Sequence, residues 1–206
     1  MVRNDDTVPI DGRTARSQRT RRAIVDAHLA LLNEGDLKPT AERIAERAGV
    51  SLRSLWTNFR DMEGLFAAAG ERLIEHELAE YRPISAALPL PQRVDEFCRQ
   101  RARILELIAP VATAAAAREP FSAQLRRNRA RELARVRDEV GQLFAAELAA
   151  AGAGRDRLVE ALVVSSTFAV WSTLRGQLGL APEEAAAVVT RMVNSLLVTA
   201  LAAGPG

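Results

Sequence analysis

Residues 40–59, TAERIAERAGVSLRSLWTNF, constrain the fold more than any other part of the chain. Thr40 and Ser51 are good N-caps, so two short helices are predicted to begin directly after them. Gly49 lies between these helices, where the backbone must take a positive φ that only glycine adopts cheaply. Ala45 lies one turn before Gly49, and its small side chain lets the two helices come close together. The segment therefore predicts two short helices joined by a tight turn.

The apolar residues of this segment indicate how the two helices pack. We expect a steep crossing angle fixed by Ile44, Ala48, Val50 and Leu55. This is the helix-turn-helix pattern, in which the second helix enters the major groove of DNA. An ordinary corner between two helices of a core is the alternative interpretation of the same pattern.

The charge distribution favours the DNA-binding interpretation. Residues 12–60 carry ten basic and five acidic side chains, whereas the formal net charge of the whole chain is only +2. A basic segment joined to a nearly neutral remainder is typical of a polyanion-binding module attached to a second module.

The remainder of the chain is also predicted to be helical. Strong helix formers dominate it, and apolar and polar residues do not alternate as they would in a strand. The predicted helices cover about residues 16–34, 41–49, 52–58, 61–81, 91–108, 120–151, 155–178 and 182–203, with a short helix between Pro110 and Pro120. We therefore expect an all-α fold with a tail at 1–15, a three-helix helix-turn-helix domain at 16–62 and a larger helical domain at 63–206.

Several classes of protein are excluded by the residues that the chain lacks. Cys98 is the only cysteine and His28 and His76 are the only histidines, so an intramolecular disulfide and the common zinc sites are excluded. We find no nucleophile–base set, phosphate-binding loop or metal-ligand cluster, and therefore expect neither an enzyme nor a cofactor. The N-terminus has no secretory signal, and no apolar stretch reaches about 18 uninterrupted residues, so a cytoplasmic protein without a membrane span is expected.

The sequences AIVDAHLALLNEG and PTAERIAERAGVSLRSLWTNFRDMEGLF resemble the TetR (tetracycline-repressor) family of bacterial transcription regulators. The strong similarity covers about residues 18–66. It implies a homodimeric repressor that leaves its DNA operator when a small molecule binds the C-terminal domain. The chain departs from the family at His28, where alanine is common, at Trp56, where tyrosine is common, and at Met62, where a phosphate-binding lysine is frequent.

The second helix of the motif and its surroundings supply the candidate DNA contacts. Arg53 is the first candidate for base reading, because one guanidinium can bind guanine O6 and N7 together. The resemblance places Trp56 and Thr57 at backbone phosphates, and Arg60 is a candidate substitute for the missing lysine. The full predicted set is Thr40, Arg43, Ser51, Leu52, Arg53, Ser54, Trp56, Thr57, Asn58 and Arg60. Arginines upstream of the motif are further candidates for phosphate or minor-groove contacts: Arg13, Arg16, Arg19, Arg21 and Arg22.

The predicted helices at 155–178 and 182–203 are apolar on more than one face, which indicates either deep burial or an interface shared by two subunits. Two such helices from each chain would form a four-helix bundle across a two-fold axis. The predicted interface residues are Leu158, Leu162, Ala169, Val189, Val193 and Leu197. The core of a monomer is the alternative.

A ligand pocket in the larger domain follows from the resemblance. The bulky residues available to line it are Phe97, Leu105, Phe121, Phe144, Phe168 and Trp171. Few polar groups accompany them, which favours an apolar or aromatic ligand over a charged one. Plain core packing is the alternative for each of these residues.

Three functions are therefore compared. The first is a DNA-binding repressor that a small molecule releases from a palindromic operator. The second is an effector-independent or architectural DNA-binding protein, and the third is an interaction module whose helix-turn-helix no longer binds DNA.

Overall fold

The computed structural model describes residues 12–203, and within this range every regular element is helical. The chain divides after Arg72 into two compact units. The first unit holds α1 (Gly12–Asn33), α2 (Ala41–Arg47), α3 (Leu52–Asn58) and the beginning of α4 (Met62–Glu80). The predicted all-α fold is confirmed, and α1 begins four residues before its predicted start. Residues 1–11 of the predicted tail lie outside the described residues.

Local capping explains where the short helices of the first unit begin. The Thr40 hydroxyl accepts a hydrogen bond from the Arg43 amide at 3.4 Å, and the Ser51 hydroxyl accepts one from the Ser54 amide at 3.1 Å. Gly49 has a φ of 66°, the positive value that the tight turn requires. These contacts satisfy backbone amides that a helix start leaves unpaired. The two N-caps and the glycine turn are therefore confirmed.

A small core holds the first three helices together. Ile24 of α1, Ile44 of α2, Leu55 of α3 and Leu65 of α4 are all completely buried. Each lies on a different helix, so removal of any one would open a cavity at the centre of the unit. His28 is also buried, with its ring centroid 5.9 Å from that of Phe66.

The described part of the second unit, up to residue 203, contains six α-helices after α4. Their bounds are α5 (Leu90–Arg118), α6 (Ala123–Leu143), α7 (Ala145–Ala150), α8 (Arg155–Ser165), α9 (Phe168–Ser172) and α10 (Pro182–Ala203). A 3-10 turn at Glu119–Phe121 precedes α6, and a π-helical turn at Thr173–Gln177 follows α9. One continuous apolar core extends across α5, α6, α7, α8, α9 and α10.

Three helix boundaries differ from the sequence prediction. Pro110 does not end a helix but lies inside α5, where residues buried on both sides of it keep the helix continuous at the cost of one backbone hydrogen bond. The long helix predicted at 120–151 is interrupted at Phe144, whose side chain is completely buried. The helix predicted at 155–178 is interrupted at Ser166 and Thr167.

The last helix, α10, is unusually apolar for its degree of burial. Its segment Pro182–Ala202 is long and apolar enough to cross a membrane, with a mean hydropathy of 1.6, yet only 22% of that window is buried. Ala185, Val189, Val193 and Leu197 form its buried stripe against the core of the second unit. Much of the remaining apolar surface of α10 is therefore exposed in a single chain.

Candidate nucleic-acid interface

The helix α3 has one buried side and one exposed side. Leu55 is completely buried and anchors α3 to the first unit. Leu52, Arg53, Trp56 and Thr57 are exposed, with 39% of Trp56 accessible to solvent. An exposed indole on a seven-residue helix contributes little to the core, so this face is available to a partner.

Some of the side chains that are predicted to contact DNA form hydrogen bonds within α3. The Thr57 hydroxyl donates to the Arg53 carbonyl at 2.8 Å, and the Asn58 amide donates to the Ser54 carbonyl at 2.8 Å. The Ser51 hydroxyl is the N-cap acceptor. The Thr57 hydroxyl hydrogen is therefore bound to the backbone of α3, which leaves its oxygen with acceptor capacity only, whereas Asn58 uses one of its two amide hydrogens in this way.

The arginines around α2 and α3 fall into two groups. Arg43 forms an ion pair with Asp36 at 2.5 Å, and both guanidinium nitrogens of Arg47 bind the Glu34 carboxylate at 2.9 and 2.5 Å. The Arg47 hydrogen bond lowers the pKa of the Glu34 carboxyl. Within the described part of the chain, the exposed side chain of Arg53 has no ion-pair or hydrogen-bond partner.

The same holds for Arg60, which is exposed directly before the start of α4. Asp61 caps that helix by accepting a hydrogen bond from the Gly64 amide at 2.8 Å. Met62 is half-buried at the first position of α4. Arg53 and Arg60 can therefore reach an anion without first breaking an ion pair, whereas Arg43 must exchange Asp36 for a phosphate.

Arg21 makes contacts with the C-terminal end of α3 that the sequence analysis does not predict. Its Nη1 donates to the Asn58 carbonyl at 2.7 Å, and its Cζ lies 4.2 Å from the centroid of the Phe59 ring. Arg21 therefore binds the C-terminal end of α3, whereas the sequence predicts a phosphate or minor-groove contact for it. Arg21 lies one helical turn before the buried Ile24, and this spacing is the sequence signal that could have indicated a packing role for Arg21. Arg16, Arg19 and Arg22 are exposed on α1, and the Arg13 side chain lies outside the described part of the chain.

Residues 24–69, which contain the motif and its supporting core, match the model of the bacterial regulatory proteins of the tetR family. This segment of the chain is therefore similar to the N-terminal domain of the TetR family. The matching domain supports a DNA-binding transcriptional regulator.

Solved structures share the fold of this chain. A transcriptional regulator from Rhodococcus sp. Rha1 superimposes with a TM-score of 0.67 at 17% identity, over 89% of this chain and 96% of that one. A protein assigned as a TetR-family transcriptional regulator from Mesorhizobium loti MAFF303099 gives a TM-score of 0.60 at 18% identity, over 93% of this chain and 99% of that one. No curated protein sequence matches the chain.

The predicted pocket residues lie mainly in the packed core of the second unit. Phe97, Leu105, Phe144, Phe168 and Trp171 are all at most 4% exposed. The prediction for Phe121 was wrong, because its side chain is 90% exposed in the 3-10 turn before α6 and lines no interior space. One cavity in this unit is an open groove of about 1050 Å³ between α5 and α10, and none of the six residues lines it.

The predicted dimer residues also lie mainly in the core of the second unit. Five of them are at most 7% exposed and pack into the core of their own chain: Leu158, Leu162, Val189, Val193 and Leu197. Burial in their own chain leaves little of these side chains for a second subunit, whereas Ala169 is exposed. The exposed apolar residues of α8 and α10 are Val164, Met192, Val198 and Leu201. Among the described residues, no group of three or more His, Cys, Asp or Glu side chains could hold a metal ion.

Proposed function

We propose that this TetR-family regulator is a cytoplasmic homodimeric repressor that binds a palindromic operator and dissociates when a small molecule binds its second unit. The exposed face of α3 carries this proposal. Leu55 fixes the helix to the core, while Arg53 projects from the exposed side without a competing ion pair. A rigid short helix with an available guanidinium is suited to reading guanine in the major groove.

Phosphate contacts would come from the residues around α3. Arg60 is exposed and unpaired among the described residues, and Trp56 presents its indole beside Arg53. The N-terminus of α2 adds amide groups to which a phosphate can bind. Contacts of this kind position the protein on DNA, and base contacts from α3 select the sequence.

Dimerisation is supported by the apolar surface that α8 and α10 leave exposed. Val164 is 56% exposed and Val198 is 58% exposed, and Met192 lies on the same helix as Val198. A second copy related by a two-fold axis would cover this surface with its own α8 and α10. The dimer would then present two copies of α3 to half-sites roughly 34 Å apart, one turn of B-DNA.

Regulation by a small molecule is supported by the groove between α5 and α10. Its volume of about 1050 Å³ is that of a drug-sized binding site. The sequence favours an apolar or aromatic ligand, and the groove is large enough for one. The role requires recognition and release but no catalytic step.

The proposal is tested by selecting binding sites from random duplex DNA and by measuring anisotropy with DNA from the gene's own upstream region. We expect a selected palindrome, one dimer bound to each site and an affinity that falls steeply as salt rises. Compounds that dissociate this complex would establish ligand release. Sequence-specific binding that no compound in a broad library reverses would favour the effector-independent function, and absence of DNA binding by a folded dimer would overturn the proposal.

A further inference from the structure

The groove between α5 and α10 has an apolar floor. Ala102 of α5 and Ala186 and Ala187 of α10 line it, and Thr190 extends the same row. Small side chains on both helices leave room between them, which is why the groove can reach about 1050 Å³. A flat hydrocarbon or aromatic body can lie on such a floor and remove apolar surface from water.

Each carboxylate that lines the groove has a basic neighbour. Asp95 forms an ion pair with Arg99 on the next turn of α5. Glu106 accepts a hydrogen bond from the Arg175 Nε at 2.7 Å, which lowers the pKa of the Glu106 carboxyl. Glu183, in the first turn of α10, also interacts electrostatically with Arg175. The negative charges of the groove are therefore largely compensated within the protein.

Two arginines of the groove are not compensated in this way. Arg103 of α5 and Arg191 of α10 are exposed, and neither forms an ion pair or a hydrogen bond with any residue between 12 and 203. They approach the groove from its two walls. A guanidinium presents a planar set of donors that matches a carboxylate or a sulfonate.

We propose that this groove is the effector site and that it binds an amphipathic anion, with an apolar or aromatic body on the alanine floor and its anionic group between Arg103 and Arg191. This differs from the sequence expectation, which placed the pocket among buried aromatic residues and favoured an uncharged ligand. The assignment of an effector rests on the proposed function, whereas the binding itself can be measured without DNA.

A hydrogen bond connects the groove to the core of the second unit. Glu106 accepts from the Trp171 Nε1 at 2.8 Å, and Trp171 is only 1% exposed. Trp171 lies two residues before the start of the π-helical turn at Thr173–Gln177, a distortion that often accompanies functional sites. A ligand beside Glu106 changes the surroundings of the indole partner, so Trp171 fluorescence reports occupancy of the groove.

The experiment uses 8-anilinonaphthalene-1-sulfonate, an aromatic anion, as the probe of the full-length protein. Trp56 and Trp171 are the only tryptophans, so Trp56→Phe makes Trp171 the sole donor for energy transfer to the probe. Three variants are compared in this background: Arg103→Gln with Arg191→Gln, Ala187→Phe to fill the groove, and Arg157→Gln as a control on exposed α8 surface. Circular dichroism and thermal unfolding verify that every variant is folded.

We expect the double arginine variant to weaken probe binding by about tenfold or more, as loss of charge-assisted hydrogen bonds predicts. Ala187→Phe should remove the energy transfer from Trp171 to the probe. Arg157→Gln should change neither the affinity for the probe nor the energy transfer. N-phenyl-1-naphthylamine has the same rings without the sulfonate. It should bind at least tenfold more weakly, because a tenfold loss of affinity is about what the removal of one charge-assisted hydrogen bond causes.

The proposed site would be overturned if the neutral probe bound with the same affinity as the anionic probe. It would also be overturned if the double arginine variant and Arg157→Gln lost the same amount of affinity for the anionic probe. Probe binding that follows these expectations but leaves an operator complex intact would retain the anion site and overturn ligand release instead. Release of DNA by the probe from both the wild type and an Ala187→Phe variant that retains Trp56 would place the effector elsewhere and overturn this inference.

Discussion

The guanidinium of Arg21 closes the C-terminal end of α3 by donating a 2.7 Å hydrogen bond to the Asn58 carbonyl. The last carbonyls of a helix have no partner within the helix, and a positive charge beside them is favourable. The same guanidinium lies 4.2 Å from the centroid of the Phe59 ring. Arg21 therefore positions α3 from α1, and this role does not require a contact with DNA.

Replacement of Arg21 tests this positioning role. Arg21→Ala removes both the hydrogen bond and the cation–π contact, so we expect a loss of about 1–2 kcal/mol in stability and a comparable loss in operator affinity. The slope of log K against log salt should remain that of the wild type, because no phosphate contact is removed. Thermal unfolding and anisotropy titrations at four salt concentrations provide both measurements.

Arg19→Ala is the matched control, because Arg19 carries the same charge on the exposed surface of α1. It should leave the unfolding temperature unchanged. A wild-type unfolding temperature for Arg21→Ala, together with a salt slope smaller by about one, would identify Arg21 as a phosphate contact instead.

Arg53 should determine the base preference of the operator. Arg53→Ala is expected to relax selectivity at one position of each half-site by about 1–3 kcal/mol, because a bidentate contact to guanine is lost. Competition binding with single-base operator variants measures this change. Arg60→Ala should weaken binding to all of these operators about equally, and an unchanged preference in Arg53→Ala would exclude Arg53 as the base-reading residue.

The exposed apolar residues of α8 and α10 should maintain the dimer. We expect Val164→Glu combined with Met192→Glu to give monomers in size-exclusion chromatography with light scattering, since buried unpaired carboxylates oppose association. Leu107→Glu is the control, because Leu107 is 47% exposed on α5. Dimers that persist in the double variant at micromolar concentration would show that another surface joins the subunits.

Arg93 and Glu147 form a buried ion pair in the second unit, with 2.6 Å between Nη2 and Oε1. Arg93 also donates to the Leu143 carbonyl at 2.6 Å, directly before the break between α6 and α7. Arg93→Met leaves Glu147 buried without its partner, so we expect a loss of about 3–5 kcal/mol in the free energy of unfolding. Urea unfolding at pH 7 measures this loss, and Arg93→Met combined with Glu147→Leu should recover part of it.

The same pair predicts a dependence of stability on pH. The Arg93 hydrogen bond lowers the pKa of the Glu147 carboxyl in the folded protein. The stabilisation is therefore present above the unfolded pKa, about 4.3, and is lost as the pH falls through the lower folded pKa. Urea unfolding between pH 7 and pH 3 should show a steeper loss for the wild type than for the variant with both substitutions, and parallel curves would contradict this prediction.

The sequence by itself determined the features that depend on near neighbours along the chain. Thr40 and Ser51 cap helices through amides three residues away, and Gly49 supplies a local backbone conformation, so the recognition motif could be identified from its residues alone. Helix-forming composition likewise determined the all-α class.

Only the tertiary structure decided which side of a helix faces the core. The helices α8 and α10 are apolar on more than one side, so the sequence pattern could not distinguish Leu162, which is completely buried, from Val164, which is exposed. Arg21 meets Asn58 across 37 positions of sequence, and the groove has walls from α5 and α10. These relationships depend on contacts between segments far apart in the chain, whose mutual orientation is set by packing rather than by local propensity.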